Sequence, residues 1–280
     1  MDNKAILITG CSSGIGLHMA HALQKRGYDV FASTRNQTDV EKLMAQGLRS
    51  IQLDVSKSES IQLAVKIILK ETDNKLFALI NNAGYGQPGA VEDLSRNALQ
   101  KQFDTNFFGL VELTNRLLPV MHKQGYGRII QISSVLGFIA IPLRGAYIAS
   151  KYALEGMTDT LRLELNNTKI HATLIEPGPI KSHFRLNSLR MFNKYIDKKH
   201  SRFYKQYQIA EKKLIQESPI VPFTLGPEAV LNKTIHALES KQPKSRYYVT
   251  FPTHLFAILK KIIPSKTLDY VLVKSANIGR

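Results

Sequence analysis

Two residues four positions apart, Tyr147 and Lys151, are the pair in this chain best suited to proton transfer. A free phenol has a pKa of about 10 and exchanges protons poorly at neutral pH. If the segment is helical, the lysine lies one turn away on the same face. Its positive charge then favours the phenolate and lowers the tyrosine pKa toward a working value. The pair therefore predicts a proton donor for carbonyl reduction, or a base for alcohol oxidation.

A serine hydroxyl, that of Ser134, stands thirteen residues upstream of Tyr147. If the fold brings this hydroxyl beside the phenol, it can hold and polarise the carbonyl oxygen of a substrate. The tyrosine–lysine spacing alone is a weak signal, because it also arises by chance in amphipathic helices. The proton-transfer interpretation therefore depends on the other motifs of the chain.

A glycine-rich turn follows the first apolar segment of the chain and precedes the first helical pattern. Glycines make such a turn tight and let backbone N–H groups approach a pyrophosphate, and the helix N-terminus adds partial positive charge. The alternative is a helix that Ser12 or Ser13 caps, with incidental glycines. The turn predicts a dinucleotide site whose binding residues are Gly10, Ser12, Ser13, Gly14, Ile15 and Gly16.

The end of the second apolar segment indicates which dinucleotide is bound. An acidic residue at this place hydrogen-bonds the ribose hydroxyls of NAD, but this chain has Ser33-Thr34-Arg35. Arg35 can pair with the 2′-phosphate of NADP(H), and no carboxylate is present to repel that phosphate. The sequence therefore favours NADP(H). The alternative is an arginine on a surface loop.

Two further segments that follow predicted strands complete the predicted cofactor site. Asp54 and Val55 would flank the adenine, with the carboxylate accepting a hydrogen bond from its amino group; alternatively, Asp54 only caps the next turn. Asn82, Ala83 and Gly84 are small enough to pack closely against a cofactor ribose. A plain turn is the alternative for that segment.

Short apolar runs alternate with segments of helical length and periodicity. The runs are rich in Ile, Val and Leu, as strands buried on both faces should be. They lie at Ala5–Ile8, Asp29–Ser33, Ser50–Leu53, Phe77–Ile80, Arg128–Ile132 and Ala172–Ile175. The helical segments are Gly14–Arg26, Asp39–Gln46, Ser58–Glu71, Arg96–Lys123 and Tyr147–Asn166. The alternation predicts an α/β fold, a doubly wound Rossmann-like parallel sheet with helices on both faces. Ligands of such sheets bind beyond the carboxyl ends of the strands, where the motifs above fall.

The composition is that of an ordinary globular protein of 280 residues, for which one large domain is the default. The only cysteine, Cys11, excludes an internal disulfide and suggests a reducing compartment. We expect a cytoplasmic protein, since no signal peptide is visible and no apolar run reaches membrane-spanning length. The eight histidines show no metal-ligand spacing, so no catalytic metal is predicted.

The positive charge of the chain is concentrated in its C-terminal third. Residues 183–280 hold 18 Lys and Arg against 6 Asp and Glu, a net charge of +12, which leaves +4 of the total +16 for residues 1–182. A basic surface of this kind binds nucleic acid, an anionic membrane or an anionic ligand, or is merely solvated. No nucleic-acid module is present, so nucleic-acid binding is not expected.

The motifs together resemble the short-chain dehydrogenase/reductase family. The matching segments occur in the family's order over residues 4–182: Thr9–Gly16, Asn81–Gly84, Asn106, Ser134, Tyr147 with Lys151, and Pro177-Gly178. Within the family, the chain is similar to the hydroxysteroid and retinol dehydrogenase branch. It also resembles the bacterial NADP-dependent aldehyde reductases of that branch.

This resemblance implies roles for the residues at the matching positions. Tyr147 would be the general acid or base, and Lys151 would bind the nicotinamide ribose and depress the tyrosine pKa. Ser134, rather than its neighbour Ser133, would orient the substrate carbonyl. Asn106 would lie in a helix and hold a water that relays protons through Lys151. The cofactor's nicotinamide end would be held by Tyr147, Lys151, Pro177, Gly178, Ile180 and Ser182, the last replacing the family's usual threonine.

The resemblance further implies a catalytic domain over residues 1–250 and a substrate lid over about 183–226. Residues 188–214 carry aromatic and basic residues at helical spacing, which predicts one amphipathic helix or a pair. The apolar lid residues would line a pocket for a hydrophobic aldehyde or ketone, or would only pack the helices onto the domain. They are Phe184, Leu186, Met191, Phe192, Tyr195, Phe203 and Tyr207.

Residues 251–280 form a C-terminal extension of two apolar-basic segments split by Pro264. Such segments could lie on an anionic bilayer, belong to the core or contact another subunit. The family resemblance suggests a dimer or tetramer through the helices at 96–123 and 147–166. The function predicted from all these features is NADPH-dependent reduction of a lipophilic carbonyl. Two alternatives are NADP-dependent oxidation of a steroid, retinol or long-chain alcohol, and a non-catalytic NADP-binding peripheral membrane protein.

Overall fold

A computed structural model describes residues 4–216 and 222–276 of the chain. Its centre is a sheet of seven parallel strands in the order β3-β2-β1-β4-β5-β6-β7. The strands are β1 Ala5–Ile8, β2 Asp29–Thr34, β3 Arg49–Gln52, β4 Ala78–Asn81, β5 Gly127–Ile132, β6 Ile170–Glu176 and β7 Arg246–Tyr248. The predicted doubly wound Rossmann-like sheet is therefore confirmed.

Eleven helices are present in the described part of the chain, and the two faces of the sheet are both covered. The helices are α1 Gly14–Lys25, α2 Gln37–Ala45, α3 Ser58–Glu71, α4 Arg96–Phe103, α5 Gly109–Gln124, α6 Gly145–Glu164, α7 Phe184–Tyr195, α8 Tyr204–Ile215, α9 Glu228–Glu239, α10 Phe251–Ile262 and α11 Ser265–Ala276.

Side chains of the central strands alternate between two hydrophobic cores. In β1, Ile6 and Ile8 pack on the face covered by α1, α2 and α9, whereas Leu7 packs on the face covered by α3, α5 and α6. Strands covered on both faces need apolar residues at every position, and β1 and β4 are buried throughout. This double burial explains why continuous apolar runs marked these strands.

The structure differs from the sequence prediction at the edge of the sheet and in one helix. The last strand, β7, pairs with β6 but was not predicted from the sequence, because its three residues Arg-Tyr-Tyr form no apolar run. The segment predicted as one helix over 96–123 is two helices, α4 and α5, joined by a π-helical turn at Asp104–Phe108. That turn contains Asn106.

The region predicted as a lid folds as a pair of helices, α7 and α8, with a small core of their own. Phe192 and Tyr207 are fully buried and their rings meet edge to face, with centroids 5.1 Å apart. The Tyr207 hydroxyl accepts a hydrogen bond from the backbone N–H of Ala90 at 2.8 Å and donates to Asp93. These two aromatic residues therefore pack the helix pair onto the domain. For them, packing and not pocket lining is the alternative that the structure shows.

Candidate active site

The predicted cofactor site lies where the strand order reverses direction along the chain. From β1, the chain first moves outward to β2 and β3 and later returns to β4 on the other side of β1. Loops that leave β1 and β4 therefore diverge and open a crevice at their carboxyl ends. The turn Gly10–Gly16 and the segment Asn82–Gly84 both lie at this crevice.

Thr9 and Asn82 tie the two walls of the crevice together. The Thr9 hydroxyl oxygen accepts hydrogen bonds from the backbone N–H groups of Asn82, at 3.0 Å, and Ala83, at 2.9 Å. In return, the Asn82 amide donates to the carbonyl oxygens of Thr9, at 2.9 Å, and Gly10, at 3.1 Å. The glycine turn is thus held in one position before any ligand binds.

The glycines of the turn fit a backbone cradle for a pyrophosphate. Gly10 has φ of 73° and Gly14 has φ of 58°, conformations that L side chains rarely adopt. A Cβ atom on Gly16 would lie 2.4 Å from the Gly10 carbonyl oxygen and 2.5 Å from the Asn82 amide nitrogen. Only glycine therefore lets the first turn of α1 approach the strand ends this closely.

The serines of the turn do not cap the helix that follows. Ser13 is the N-cap residue of α1, in extended conformation, and its side chain makes no capping hydrogen bond. Ser12 is exposed. The alternative that Ser13 serves as a side-chain cap is therefore not observed, and the N-terminus of α1 can offer its backbone N–H groups to an anion.

Arg35 stands on the surface immediately after β2, at the same edge of the sheet. Its backbone carbonyl accepts a hydrogen bond from the Gln52 amide at 3.2 Å, which holds the loop against β3. Burial raises the pKa of the Tyr85 phenol, and the positive charge of Arg35 opposes that rise. The guanidinium therefore acts across the crevice on the residue that follows Gly84.

Asp54 and Val55 follow β3 and form the far end of the predicted cofactor site. One Asp54 carboxylate oxygen accepts hydrogen bonds from the Ser56 backbone N–H at 3.0 Å and the Ser56 hydroxyl at 2.7 Å. Asp54 thus caps the turn before α3, which is the alternative to adenine binding that the sequence left open. Val55 is buried, and a Cβ on Gly109 would lie 1.7 Å from its carbonyl oxygen, so α5 packs directly against this segment.

Tyr147 and Ser134 come together at the carboxyl end of β5. Burial of the phenol raises the pKa of Tyr147 to about 12, and a hydrogen bond with Ser134 is the main influence opposing that rise. Ser133 points elsewhere, because its hydroxyl donates to the Glu155 carboxylate at 2.5 Å. Of the two adjacent serines, Ser134 is therefore the one beside the tyrosine.

Lys151 lies behind the tyrosine on the buried side of α6. Its Nζ donates a hydrogen bond of 2.7 Å to the carbonyl oxygen of Ile132 and stands 5.9 Å from the centre of the Tyr147 ring. Burial lowers the pKa of Lys151 to about 8. We expected the lysine to depress the tyrosine pKa, but the pKa of Tyr147 is raised in this structure because burial of the phenol outweighs any such effect.

Asn106 links the crevice to helix α6 from within the π-helical turn. Its amide nitrogen donates to the Tyr85 carbonyl oxygen at 2.9 Å and to the Ser150 hydroxyl at 3.2 Å. The Ser150 hydroxyl donates in turn to the Tyr147 carbonyl oxygen at 2.7 Å. Sequence reasoning missed Ser150, because a serine inside a helix carries no signal until the residue facing it is known.

The segment after β6 closes the site from the other side. The Pro177 carbonyl oxygen accepts a hydrogen bond of 2.8 Å from the backbone N–H of Val135, next to Ser134. A Cβ on Gly178 would lie 2.1 Å from the Thr250 hydroxyl, and a Cβ on Gly14 would lie 3.2 Å from Ser182 Cβ. Ile180 pairs with Leu225 in an isolated bridge. The predicted nicotinamide-end residues therefore adjoin both the glycine turn and Ser134.

The arrangement agrees with what comparison with known proteins shows. A family model described as short chain dehydrogenase matches residues 4–191. The chain belongs to this family. Short-chain dehydrogenases are oxidoreductases that use a nicotinamide cofactor, and this chain is an NAD(P)-dependent oxidoreductase acting on CH–OH or carbonyl groups.

Three relatives show how far the similarity extends. The uncharacterized oxidoreductase YbbO of Escherichia coli is 42% identical over 269 residues, covering 96% of this chain and 94% of that protein. The NADPH-dependent 3-dehydrocapnine reductase of Ornithobacterium rhinotracheale is 32% identical over 276 residues, covering 96% and 95%. Human retinol dehydrogenase 8 is 41% identical over 191 residues, covering 65% and 60%.

An ionic cluster between α6, β6 and β7 of this short-chain dehydrogenase was not anticipated from the sequence. Arg246 of β7 pairs with Glu155, with Glu176 at 2.5 Å and with Asp159 at 2.5 Å. Burial and the nearby Glu155 carboxylate raise the pKa of Glu176 to about 8, and Arg246 opposes the rise. Glu155 also accepts from Ser133. The cluster thus joins helix α6 to the edge strand β7 and to Ser133.

Within 4–216 and 222–276, no group of three or more His, Cys, Asp and Glu side chains is placed to hold a metal ion. In the same ranges, no helix has both the length and the apolar character needed to cross a bilayer.

Proposed function

We propose that this short-chain dehydrogenase reduces a lipophilic aldehyde or ketone to the alcohol with NADPH, with Tyr147 as the proton donor. The observation that carries the proposal is the buried phenol of Tyr147, which has Ser134 beside it and Lys151 behind it. Burial raises the pKa of this phenol to about 12, so it holds its proton at neutral pH, and the positive charge of Lys151 would favour release of that proton to the substrate. Proton donation is what reduction requires of this group.

The residues that would hold NADPH lie around the crevice at the carboxyl ends of the strands. The pyrophosphate would lie on the backbone of Gly10, Ser12, Ser13, Gly14, Ile15 and Gly16, with the adenine near Asp54 and Val55. The ribose would contact Asn82, Ala83 and Gly84, and the nicotinamide end would contact Lys151, Tyr147, Pro177, Gly178, Ile180 and Ser182. Bound there, the cofactor supplies a hydride to the carbonyl carbon.

Arg35 supports NADPH over NADH. It follows β2 with no carboxylate in the adjoining Ser33 and Thr34, and its guanidinium is exposed at the crevice. A guanidinium matches a phosphate in geometry and charge. The relative named as an NADPH-dependent 3-dehydrocapnine reductase supports the same choice and the same direction of reaction.

Each catalytic side chain has a separate task in the proposed reaction. The Ser134 hydroxyl would hold the substrate carbonyl oxygen, and the Tyr147 phenol would give that oxygen its proton. Lys151 would bind the ribose and supply positive charge while the phenol is deprotonated. Asn106 and Ser150 fix the helix backbone at Tyr147, and Asn106 would hold the water that returns a proton through Lys151.

The lid supports a lipophilic substrate. Phe184, the first residue of α7, packs edge to face on the Tyr147 ring with centroids 5.4 Å apart. An apolar carbonyl compound that reaches Tyr147 therefore meets an aromatic wall, which would favour it over a small polar sugar. Phe192 and Tyr207 are excluded from this wall, because they are buried inside the lid.

The exposed apolar residues of two elements support assembly into a homo-oligomer. Phe108 of the π-helical turn and Tyr152 and Met157 of α6 are large apolar residues that stand in solvent on the elements where we expect subunit contacts. Size-exclusion chromatography with light scattering would give the mass. A monomeric mass for the native chain would contradict this part of the proposal.

A substrate screen tests the function. Purified protein is mixed with NADPH and a panel of aldehydes and ketones of increasing chain length, and loss of the nicotinamide absorbance is followed. We expect turnover that rises with chain length. Tyr147→Phe should abolish turnover but keep NADPH binding, whereas Tyr152→Phe, a change of the same kind on an exposed residue of α6, should leave turnover unaltered.

The opposite direction is measured with the same protein. Retinol dehydrogenase 8 is a relative, so NADP⁺ with retinol, a hydroxysteroid and a long-chain alcohol form the second panel. Faster oxidation than reduction at equal cofactor concentration would reverse the proposed direction. Binding of NADPH without turnover of any compound in either panel would contradict the proposed reduction and favour the alternative of a non-catalytic NADP-binding protein.

A further inference from the structure

Helix α10 carries a stripe of apolar side chains on the face turned away from the protein. Phe251, Leu255, Ile258 and Ile262 follow the spacing i, i+4, i+7 and i+11, which places them on one face of a helix. Their exposed fractions are 57%, 38%, 60% and 69%. The opposite face is the packed one, with Thr253 and Ala257 buried. We call these four outward residues the apolar stripe.

The apolar stripe continues beyond α10 toward the loop that precedes α9. The Phe223 ring packs on the Phe251 ring with centroids 4.9 Å apart, and Phe223 is itself exposed, as is Leu225. Leu225 exchanges backbone hydrogen bonds with Pro179, at 3.1 Å, and Lys181, at 2.9 Å. The exposed apolar surface therefore reaches the segment that follows β6 at the active site.

The inner face of α10 also rests on the catalytic end of the sheet. A Cβ on Gly178 would lie 2.9 Å from the Thr253 hydroxyl oxygen, and Lys260 Nζ donates to the Phe138 carbonyl oxygen at 2.7 Å. Gly178 follows β6 and Phe138 follows β5. The apolar stripe consequently faces outward from the same end of the molecule at which Tyr147 and Ser134 meet.

Positive charges accompany the stripe, and acidic charges are scarce beside it. Helix α10 holds no acidic residue, and residues 251–276 hold four lysines against one aspartate. Lys261 is exposed and follows Ile258 by three residues, while Lys266 is exposed at the start of α11. Neither lysine has a carboxylate partner among the described residues. Lys181 is exposed beside Leu225.

We propose that the apolar stripe, with Phe223 and Leu225, docks on the surface of an anionic phospholipid bilayer. Apolar side chains beside uncompensated lysines match a layer whose acyl chains lie under negatively charged headgroups. A second copy of the chain is a poorer match, because a two-fold contact would bring the same unpaired lysines against one another. Docking would turn the catalytic end of the protein toward the membrane.

Co-sedimentation with vesicles tests the proposal on the full chain. The probes are vesicles of phosphatidylcholine alone and vesicles containing a large fraction of phosphatidylglycerol. We expect binding to the anionic vesicles and little binding to the neutral ones. The double variant Ile258→Asn/Ile262→Asn keeps every charge, and it should lower the vesicle-bound fraction at least about tenfold because the inserting surface is lost.

A matched control separates docking from general stickiness. Leu63→Asn changes an exposed apolar residue of α3, far along the chain from the stripe, and should leave vesicle binding intact. Ile258 and Ile262 take no part in the proposed chemistry, so the double variant should reduce a water-soluble aldehyde at the native rate. A normal rate also shows that the variant is folded.

Three results would overturn the proposal. The first is a native protein that does not bind anionic vesicles. The second is a double variant that binds them as well as the native chain, which would assign the binding to the basic surface alone. The third is light scattering in which the native chain is an oligomer that Ile258→Asn/Ile262→Asn dissociates, which would assign the stripe to a subunit contact. None of these results bears on whether the protein reduces carbonyl compounds.

Discussion

Lys151 Nζ donates a hydrogen bond to the carbonyl oxygen of Ile132, the last residue of β5, at 2.7 Å. Ile132 is followed by Ser133 and Ser134, so this bond fixes the catalytic helix against the loop that carries the proposed substrate-binding serine. The lysine is buried, and its pKa is lowered to about 8 because burial disfavours the charged ammonium. The charge of Lys151 is therefore lost at only mildly alkaline pH.

The first prediction is a fall of kcat/KM for carbonyl reduction as pH rises through about 8, the pKa of Lys151 in the free enzyme. Below that pH the lysine is charged and, in the proposed reaction, would support ribose binding and phenolate formation; above it the amine is neutral. Tyr147 does not titrate in this range, since its pKa is raised to about 12. In Lys151→Arg, whose guanidinium stays charged, the fall should vanish from the profile. A native profile that is flat to pH 9.5 would contradict the assignment.

The second prediction concerns cofactor choice. Arg35→Asp removes the proposed partner of the 2′-phosphate and adds a carboxylate that repels it, so the ratio of kcat/KM for NADPH to that for NADH should fall. The loss of one charge-assisted contact corresponds to about tenfold to a hundredfold. Lys66→Asp, which makes the same charge change on an exposed position of α3, is the control and should keep the native ratio. An unchanged ratio in Arg35→Asp would remove Arg35 from phosphate recognition.

The fold was largely predictable because each central strand is covered on both sides. Double burial forces continuous apolar runs, and these located β1, β2, β4, β5 and β6 to within about two residues at each end. Strand β7 was not predicted, because its three residues form no apolar run. Its pairing with β6 buries Tyr247, but its first residue, Arg246, belongs to the ionic cluster. A three-residue edge strand leaves too little pattern to recognise.

Some residues of the candidate site are revealed by local sequence patterns, whereas others are brought together only by the fold. Gly10, Ser134 and Tyr147 stand directly after strands or at a fixed spacing within one segment, so the sequence displays them. The contact of Arg246 with Glu155 joins residues 91 positions apart, and no local pattern announces it. The π-helical turn at Asn106 was also invisible, since one turn of five residues inside a long helical pattern leaves too little signal to recognise.

The third prediction tests the glycine turn by making the same substitution at two glycines, one inside the turn and one outside it. In Gly16→Ala, the new Cβ would lie 2.4 Å from the Gly10 carbonyl oxygen, so the turn must open and NADPH binding should weaken by at least about tenfold. Gly156→Ala makes the same change in α6, where no atom lies within 4 Å of the new Cβ. This control should bind NADPH normally and be more stable by about 1 kcal/mol. Normal cofactor binding by Gly16→Ala in titration calorimetry would contradict the proposal that the backbone of the glycine turn holds the pyrophosphate.

The fourth prediction concerns the ionic cluster and the pH dependence of stability. Burial, together with the Glu155 carboxylate, raises the pKa of Glu176 from 4.5 to about 8, although Arg246 opposes the rise. Between these two values the folded state binds a proton at Glu176 that the unfolded state has released. This contribution to the free energy of unfolding is therefore fully present below about pH 4.5 and is lost as pH rises toward 8.

Glu176→Gln tests this directly, because glutamine reproduces the neutral side chain at every pH. The variant and the native chain should have similar Tm values near pH 5, and the variant should exceed the native chain by about 3 °C or more at pH 9. Glu164→Gln, on an exposed position of α6, should follow the native curve at every pH. Thermal unfolding followed by circular dichroism from pH 5 to 9 gives the comparison. A constant Tm difference between Glu176→Gln and the native chain would show that Glu176 is already ionised in the folded protein, with its charge held by Arg246.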